Sequence, residues 1–301
     1  MMTSAEVDEW ASKISYGMPH DVYLKDPVPG GSLSSSGARM LLEPNCPAKF
    51  DYYRRHRRPP SLEFDIGTAA HKVLLGVGPE LVVIDADNYR KGAPRVDRDQ
   101  AYLADKTPVL QHQMDAVEEM AAAARRDPVA GPLLAEGTGE PEVSFFWIDG
   151  PTGIHCRARL DYLSYLRNRD GRLIIIDYKT GRSAAPSKVE RAVLEHGYHM
   201  QGAHLIDAVI GTGHAEDATV LFVFQEKEPP YLVTVHELHP ISALWVGREL
   251  NDKARRVFAK CNEANVWPGY ADDIVEIDLP IWEQQRMERI VNAHHVRGVA
   301  Q

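Results

Sequence analysis

The segment Leu173-Ile174-Ile175-Ile176-Asp177-Tyr178-Lys179 runs from an apolar strand directly into charged residues. Its four apolar residues predict a central strand that is buried on both faces. Because side chains alternate along a strand, Asp177 and Lys179 are expected on the same face. Two interpretations follow, namely a solvated strand end with an ion pair between residues i and i+2, or a functional site.

The pattern on either side of this segment predicts a mixed α/β fold with a central mixed sheet flanked by helices. Residues 1–31 are polar and acidic and are expected to form an arm or linker, and residues 32–301 a single domain with helical additions. The stretch 79–107 shows no clear periodicity. The strands are predicted at 142–148, 154–166, 173–179, 219–225 and 232–238, and the helices at 47–56, 66–75, 108–126 (Ala-rich and exposed), 186–210, 242–265 and 280–295.

Loop lengths predict which residues face each other across the sheet. A loop at 167–171 places Asp161 opposite Asp177, and a turn at 150–153 places Glu142 opposite Asp161. Like charges directly opposite each other destabilise a sheet, so a cation is expected between them. Carboxylate oxygens suit Mg²⁺ or Mn²⁺, and Lys179 beside them can orient or deprotonate water. Metal, water and lysine together are suited to phosphodiester hydrolysis.

Zinc is not favoured, because these residues show neither CxxC nor HExxH spacing.

These residues carry a family resemblance. Asp161 followed by Asp177-Tyr178-Lys179 resembles the D…(D/E)xK signature of the PD-(D/E)XK nuclease superfamily, and the element order resembles its core. Further motifs, spread over residues 32–285, resemble the exonuclease VIII (RecE-like) branch of phages and prophages. They are Leu33-Ser34-Ser35-Ser36-Gly37, Cys46-Pro47-Ala48-Lys49-Phe50, Gly67-Thr68-Ala69-Ala70-His71, Cys156-Arg157-Ala158-Arg159-Leu160-Asp161-Tyr162, Tyr198-His199-Met200-Gln201 and Trp267-Pro268-Gly269-Tyr270.

The resemblance implies a role for each matching residue. Two metal ions would be bound by His71, Asp161 and Asp177 with the carbonyl of Tyr178, and Lys179 would be the catalytic lysine. Gln201 and Tyr198 would support the site from one helix face, and Glu142 stands where some branches have an extra acid. Taken alone, His71 is also explained as a buried hydrogen-bonded histidine, and Tyr198 as a core residue.

The resemblance also implies an activity. It is the Mg²⁺-dependent 5′→3′ digestion of linear double-stranded DNA from its ends, which leaves a 3′ single strand for a RecT-like annealing protein. It further implies a ring-shaped homo-oligomer, encoded by a phage or prophage. Two alternatives remain open: another nuclease of this fold, single-stranded or endonucleolytic, or a non-catalytic DNA-binding module with a relic metal site.

Several basic and polar residues are candidates for DNA contacts. Ser34, Ser35 and Ser36 precede a predicted helix, where they would either cap it or bind a terminal phosphate. Arg157 and Arg159 are expected to share a face with Asp161 and to reach phosphates. The basic run Arg54, Arg55, Arg57 and Arg58 is interleaved with tyrosines and would either bind the DNA backbone or form a solvated helix face.

Composition sets outer limits on the function. The chain has 301 residues, 44% of them hydrophobic, and a net charge of −9, which excludes disorder and a histone-like coat on DNA. Much of the acidity lies in residues 1–30 and 271–290. The N-terminus lacks a secretory signal and no apolar run is long enough to cross a membrane, so we expect a cytoplasmic protein. The resemblance implies that the host is bacterial. Three distant cysteines, Cys46, Cys156 and Cys261, cannot supply the four thiolates of an iron–sulfur cluster.

Overall fold

The computed structural model describes residues 9–56 and 62–295 of the chain. The chain divides into two compact units, residues 1–267 and residues 268–301. In the described part of the second unit, residues 268–280 lead to a helix at Ile281–His295. The first unit carries the sheet and every other element.

The elements of the first unit confirm a mixed α/β order. The strands are β1 (Ser12–Ser15), β2 (Leu81–Ile84), β3 (Thr107–Leu110), β4 (Gly139–Ile148), β5 (His155–Arg167), β6 (Leu173–Gly181), β7 (Ala218–Glu226) and β8 (Val233–Glu237). The helices are α1 (His20–Leu24), α2 (Ser35–Met40), α3 (Pro47–Arg55), α4 (Leu62–Leu75), α5 (Ala93–Leu103), α6 (Gln111–Arg126), α7 (Ala130–Leu133), α8 (Pro186–Glu195), α9 (Tyr198–Gly211) and α10 (Trp245–Ala264); the helix of the second unit is α11.

A six-stranded mixed sheet lies at the centre, in the order β1-β4-β5-β6-β7-β8. Only β6 and β7 pair in parallel within it, and α8 and α9 connect them. Strands β2 and β3 form a separate two-stranded parallel sheet. The apolar start of β6 is central, as predicted, and Ile175 and Ile176 are fully buried on its two faces.

Two hydrophobic cores cover the two faces of the sheet. The first core joins the sheet to α2, α9 and α10, with Phe145, Phe222 and Phe258 buried in it. The second core joins β6 to α4 and α6 through Ala69 and Met120. Strand β6 is therefore sandwiched between helices, which is why its sequence is a continuous apolar run.

Three sequence expectations differ from the structure. The helix expected at 186–210 is two helices, because Gly197 adopts a left-handed φ of 69° between α8 and α9. Helix α6 is not exposed, because Met120 and its apolar neighbours along one face pack in the second core at 0–1% exposure. The expected N-terminal arm includes β1, whose Ile14 pairs with Phe145 at the edge of the sheet. The division into an arm and one domain stays a prediction.

Among the described residues, none of the helices has the length and apolar character needed to span a membrane.

Candidate active site

The charged end of β6 is buried rather than solvated. Asp177 has no exposed surface, and its Oδ1 contacts the ammonium of Lys179, whose side chain is 18% exposed. The Oδ2 atom accepts a hydrogen bond of 2.6 Å from Nε2 of Gln201. The two β6 residues therefore share a face, as predicted, but they form a buried ion pair with one side open to solvent.

Helix α9 supplies the residues that surround this pair. It begins immediately after Gly197, so Tyr198 and Gln201 lie in its first turn and face β6. The ring centroid of Tyr198 lies 5.1 Å from Nζ of Lys179. The same ring packs against Phe222 and Phe224 of β7, with centroids 5.8 Å apart in each case. Tyr198 is thus both a core residue and one wall around the lysine, so the two interpretations of it are compatible.

Asp161 reaches the same place from β5. The pairs Tyr162–Ile176 and Leu163–Ile175 have the register from which Asp161 is expected opposite Asp177, and they lie directly beside these two acids. Oδ2 of Asp161 accepts a hydrogen bond of 2.9 Å from the backbone N–H of Tyr178. The carboxylate of β5 is therefore anchored to the backbone between the two charged residues of β6.

The alternation of β5 changes next to Asp161. Leu160 and Leu163 both pack in the first core, although strict alternation would place them on opposite faces. The β4–β5 pairing is also interrupted at this point, because Glu142 has a φ of 49° and its pairing is skipped. Such an irregularity re-aims side chains, as bulges beside functional sites commonly do.

Helix α4 brings His71 over this strand end. Nδ1 of His71 lies 3.8 Å from Oδ2 of Asp161, and its ring centroid is 4.9 Å from that of Tyr178. The close approach depends on Gly67, because a Cβ there would lie 3.2 Å from Oγ1 of Thr180 on β6. The small residues of the Gly67–His71 motif therefore let the helix lie against the strand.

Burial and mutual charge set the protonation of the central pair. Burial raises the pKa of Asp177 to about 7, although Lys179 opposes this effect, and the neighbouring carboxylate of Asp161 adds to it. Burial alone would lower the pKa of Lys179, but Asp177 and Asp161 together hold it above its ordinary value. The two carboxylates therefore favour the protonated form of Lys179, whose charge offsets theirs.

Comparison with protein families decides the classification of this site. Residues 33–263 match the family model of the PD-(D/E)XK nuclease superfamily. The chain belongs to this superfamily. The fold, the buried Asp177–Lys179 pair and the neighbouring Asp161 agree with that membership.

Solved structures agree with the fold. A crystal structure described as a "putative exonuclease" from Eubacterium rectale superposes with a TM-score of 0.56 at 11% identity, covering 90% of this chain and 98% of that one. The alignment with a second crystal structure, of SSO0001, covers 67% of this chain and 85% of that one at 16% identity. Its TM-score of 0.28 is too low to indicate a shared fold. No curated protein matches the chain.

Nucleases of the PD-(D/E)XK superfamily generally use divalent metal ions, and the donor set here suits one. Asp161 and Asp177 are neighbouring carboxylates, and Oδ1 of Asp177 already contacts a cation, the ammonium of Lys179. His71 adds an imidazole beside Asp161. In the described residues, however, no three His, Cys, Asp or Glu side chains are already grouped as a metal site. The ammonium of Lys179 is the cation closest to Asp177 in this structure.

Glu142 is not brought into the carboxylate pair. Its Oε2 lies 3.2 Å from Nη1 of Arg159, which also donates through Nε to Ser144 and through Nη2 to the carbonyl of Met18. Of the three acids expected in one row, only Asp161 and Asp177 lie together among the described residues. Glu142 binds Arg159 instead, at the point where the β4–β5 pairing is interrupted.

The side chains of Arg157 and Arg159 are largely buried and are bound by residues of this chain. Nη1 of Arg157 binds Asp26 at 2.5 Å and the carbonyl of Ser32 at 2.7 Å, and its side chain is 13% exposed. The side chain of Arg159 is 8% exposed, and its guanidinium lies 4.5 Å from the ring centroid of Tyr23. The segment between β1 and α2 covers both guanidinium groups, and Asp26 and Glu142 pair with them, so phosphate contact by Arg157 and Arg159 stays a prediction.

The remaining DNA-contact candidates have partly structural contacts. Oγ of Ser34 accepts a hydrogen bond of 3.2 Å from the N–H of Gly37, which makes it the N-cap of α2, and its hydroxyl lies 3.2 Å from that of Ser36. Ser35 is the first residue of that helix. Arg54 and Arg55 both pair with Asp51. Arg57 and Arg58 lie outside the described residues. DNA binding by Arg54 and Arg55 stays a prediction.

Sequence analysis missed Gln225 of β7. It is 1% exposed, and its Oε1 accepts a hydrogen bond of 2.5 Å from the hydroxyl of Tyr178. Its Nε2 donates to the carbonyl of Met120 on α6 at 2.8 Å. Gln225 thus fixes Tyr178 between the two charged residues of β6. A glutamine at the end of an otherwise apolar central strand is the signal that marks it.

Proposed function

We propose that the protein is a Mg²⁺-dependent deoxyribonuclease that digests linear double-stranded DNA from its 5′ ends, resembling the RecE-like exonucleases. The observation that carries this proposal is the arrangement of Asp161, Asp177 and Lys179 on the neighbouring strands β5 and β6. A fully buried carboxylate beside a second one is costly unless a cation offsets both. Lys179 and a divalent ion together would offset the charge of the two carboxylates, and the same two cations are suited to phosphodiester hydrolysis.

The chain's own residues have distinct tasks in this chemistry. Asp161 and Asp177, with His71 and the carbonyl of Tyr178, would hold the metal. When bound, a divalent ion polarises a phosphoryl oxygen and lowers the pKa of water. The ammonium of Lys179 would offset the negative charge that develops on the scissile phosphate.

Two residues of α9 position these groups. Gln201 fixes one oxygen of Asp177, which leaves the other oxygen turned towards Lys179. Tyr198 packs beside Lys179 and restricts its side chain, so its ammonium is held over the carboxylate before substrate binds.

The exonuclease assignment and its polarity rest on sequence motifs rather than on geometry. The ordered RecE-like motifs span residues 32–285, and the similar crystal structure from Eubacterium rectale bears the description "putative exonuclease". The same resemblance supports a ring-shaped homo-oligomer and a RecT-like annealing partner as parts of the proposal.

End-labelled DNA tests the proposal. The protein is incubated with Mg²⁺ and either linear duplex carrying a 5′ or a 3′ label, linear single strand, or closed circular duplex, with EDTA as the control. We expect early release of 5′-labelled nucleotide from the linear duplex and an intact circle.

Each other outcome selects a different function. Cleavage of the circle indicates an endonuclease, and early release of the 3′ label reverses the polarity. A preference for the linear single strand indicates a single-strand enzyme. The absence of any metal-dependent hydrolysis favours a non-catalytic DNA-binding module.

A further inference from the structure

A positively charged groove lies within residues 79–107, the part of the chain whose sequence shows no clear periodicity. The groove has a volume of about 480 Å³, and it lies where the loop after β2 meets the start of α5. It is lined by Asn88, Tyr89, Arg90, Arg95 and Arg98. No residue of the proposed active site lines it.

Three arginines line the groove; Asp99 partly offsets two of them, and Asp65 also interacts electrostatically with Arg98. Nε of Arg98 donates to Asp99 at 2.9 Å, and Nε of Arg95 lies 4.0 Å from the other oxygen of that carboxylate. Arg90 is exposed and has no ion pair with any residue that the structure describes. The lining therefore keeps an excess of positive charge, and it suits an anion.

The start of α5 faces the same groove. Its N-cap is Gly92, at a φ of 72°, and no side chain caps the helix. Glycine is the residue that adopts this backbone conformation without strain, and it leaves the first turn uncovered. Pro94 has no N–H, but the other N–H groups of this uncapped first turn attract anions.

Tyr89 provides an independent indication of a ligand. Its side chain lines the groove and is 8% exposed, yet its hydroxyl has no hydrogen-bond partner among the described residues. Burial, with Asp65 nearby, raises the pKa of Tyr89 to about 12, so the hydroxyl keeps its proton. A buried hydroxyl without a partner costs about 1–3 kcal/mol. An oxygen atom of a bound anion would accept its hydrogen bond.

We infer that this groove binds a phosphate group of the DNA strand outside the active site. The inference rests on the proposed nuclease function, because it assigns the groove to the same substrate. Arg90 and Arg95 are exposed, so the groove is open and suits a group carried on a larger molecule.

The position of the groove agrees with this assignment. Asp65 interacts electrostatically with Tyr89 and Arg98, and it lies on α4, six residues before His71. Six residues of helix span about 9 Å, which corresponds to roughly three steps along B-form DNA. A strand bound near His71 would therefore extend to the groove within a few nucleotides.

The salt dependence of DNA binding tests the inference. The Arg90→Gln/Arg95→Gln double variant is compared with wild type and with Arg248→Gln/Arg256→Gln, which removes the same charge from exposed positions on α10, over the other face of the sheet. Affinity for a labelled duplex is measured over a range of salt concentrations. EDTA is present throughout, because it removes divalent ions and so prevents cleavage. Thermal melting checks that each variant is folded.

We expect the groove variant to bind about tenfold more weakly at low salt. Its slope of log K against log[salt] should be shallower by about 0.9, because the variant loses one phosphate contact. The α10 variant should keep the wild-type slope. Tyr89→Phe, which removes only the hydroxyl, should weaken binding about two- to tenfold without changing the slope.

A wild-type slope and affinity in the groove variant would overturn the inference. So would a groove variant that keeps the wild-type DNA affinity but no longer binds inorganic phosphate, because the groove would then bind free anions only. Metal-dependent hydrolysis by the wild-type protein is measured separately. If hydrolysis is absent but the slope changes as expected, the proposed function fails and the phosphate site stands.

Discussion

Protonation of His204 is expected to make the stability of the fold depend on pH. This residue lies on α9, the helix that also carries Tyr198 and Gln201, and it is fully buried. Its Nε2 donates to the carbonyl oxygen of Arg157 at 3.0 Å, which ties α9 to the strand of Asp161. Burial, with the positive charge of a nearby arginine, lowers the pKa of His204 to about 3.

The size of the effect follows from this shift. Below the ordinary histidine pKa of 6.5, the unfolded chain takes up a proton at this position, whereas the folded chain does not until about pH 3. The free energy of unfolding therefore decreases as the pH falls through this window. Between about pH 7.5 and pH 5, His204 alone should account for a loss of about 2 kcal/mol.

Urea unfolding at these two pH values measures the effect. His204→Gln keeps a donor towards Arg157 but cannot be protonated, and His112→Gln makes the same change at an exposed position of α6. Wild type and His112→Gln should lose about 2 kcal/mol more than His204→Gln on acidification. An equal loss in His204→Gln would refute the argument, because His204 would then not be held neutral in the fold.

Three further substitutions test individual contacts. Tyr178→Phe leaves the buried carbonyl of Gln225 without its donor and should lower the free energy of unfolding by about 1–3 kcal/mol in urea; an unchanged value would show that this hydrogen bond contributes little. Gly197→Ala forces a left-handed φ on alanine and places its Cβ 2.5 Å from Cδ of Arg39. Calorimetry should therefore show a lower Tm for this variant, and an equal or higher Tm would contradict the expectation. Gln201→Ala should slow DNA hydrolysis about tenfold or more while circular dichroism stays unchanged, and an undiminished rate would remove its positioning role.

The sheet and the acidic pair were predictable because local rules determine them. The short turn between β4 and β5 fixes the register of that pair. Between β5 and β6 the predicted register is present only beyond a shift between Leu163 and Arg167, which the turn does not contain. The apolar run that ends at Asp177 identifies the central strand. Both signals depend only on near neighbours in the sequence.

Other features depend on contacts between distant residues, which no local pattern contains. The role of Arg159 is decided by Glu142 and by the carbonyl of Met18, more than a hundred residues earlier in the chain. The burial of α6 depends on where α4 packs against it. The sequence of α6 alone does not contain this information, because an alanine-rich helix is also typical of a surface position. The break at Gly197 is visible as a glycine, but a helix can tolerate one.

The most direct test of the central claim removes the ammonium beside Asp177. Lys179→Met is compared with Lys188→Met, which removes an exposed lysine of α8, in single-turnover digestion of linear duplex DNA with Mg²⁺. Circular dichroism of both variants confirms that they are folded. If Lys179 offsets the charge on the scissile phosphate, its variant should be slower by on the order of 10²–10³-fold, and the control should keep the wild-type rate. Undiminished Mg²⁺-dependent cleavage by a folded Lys179→Met variant would contradict the assignment of this cluster as the catalytic centre.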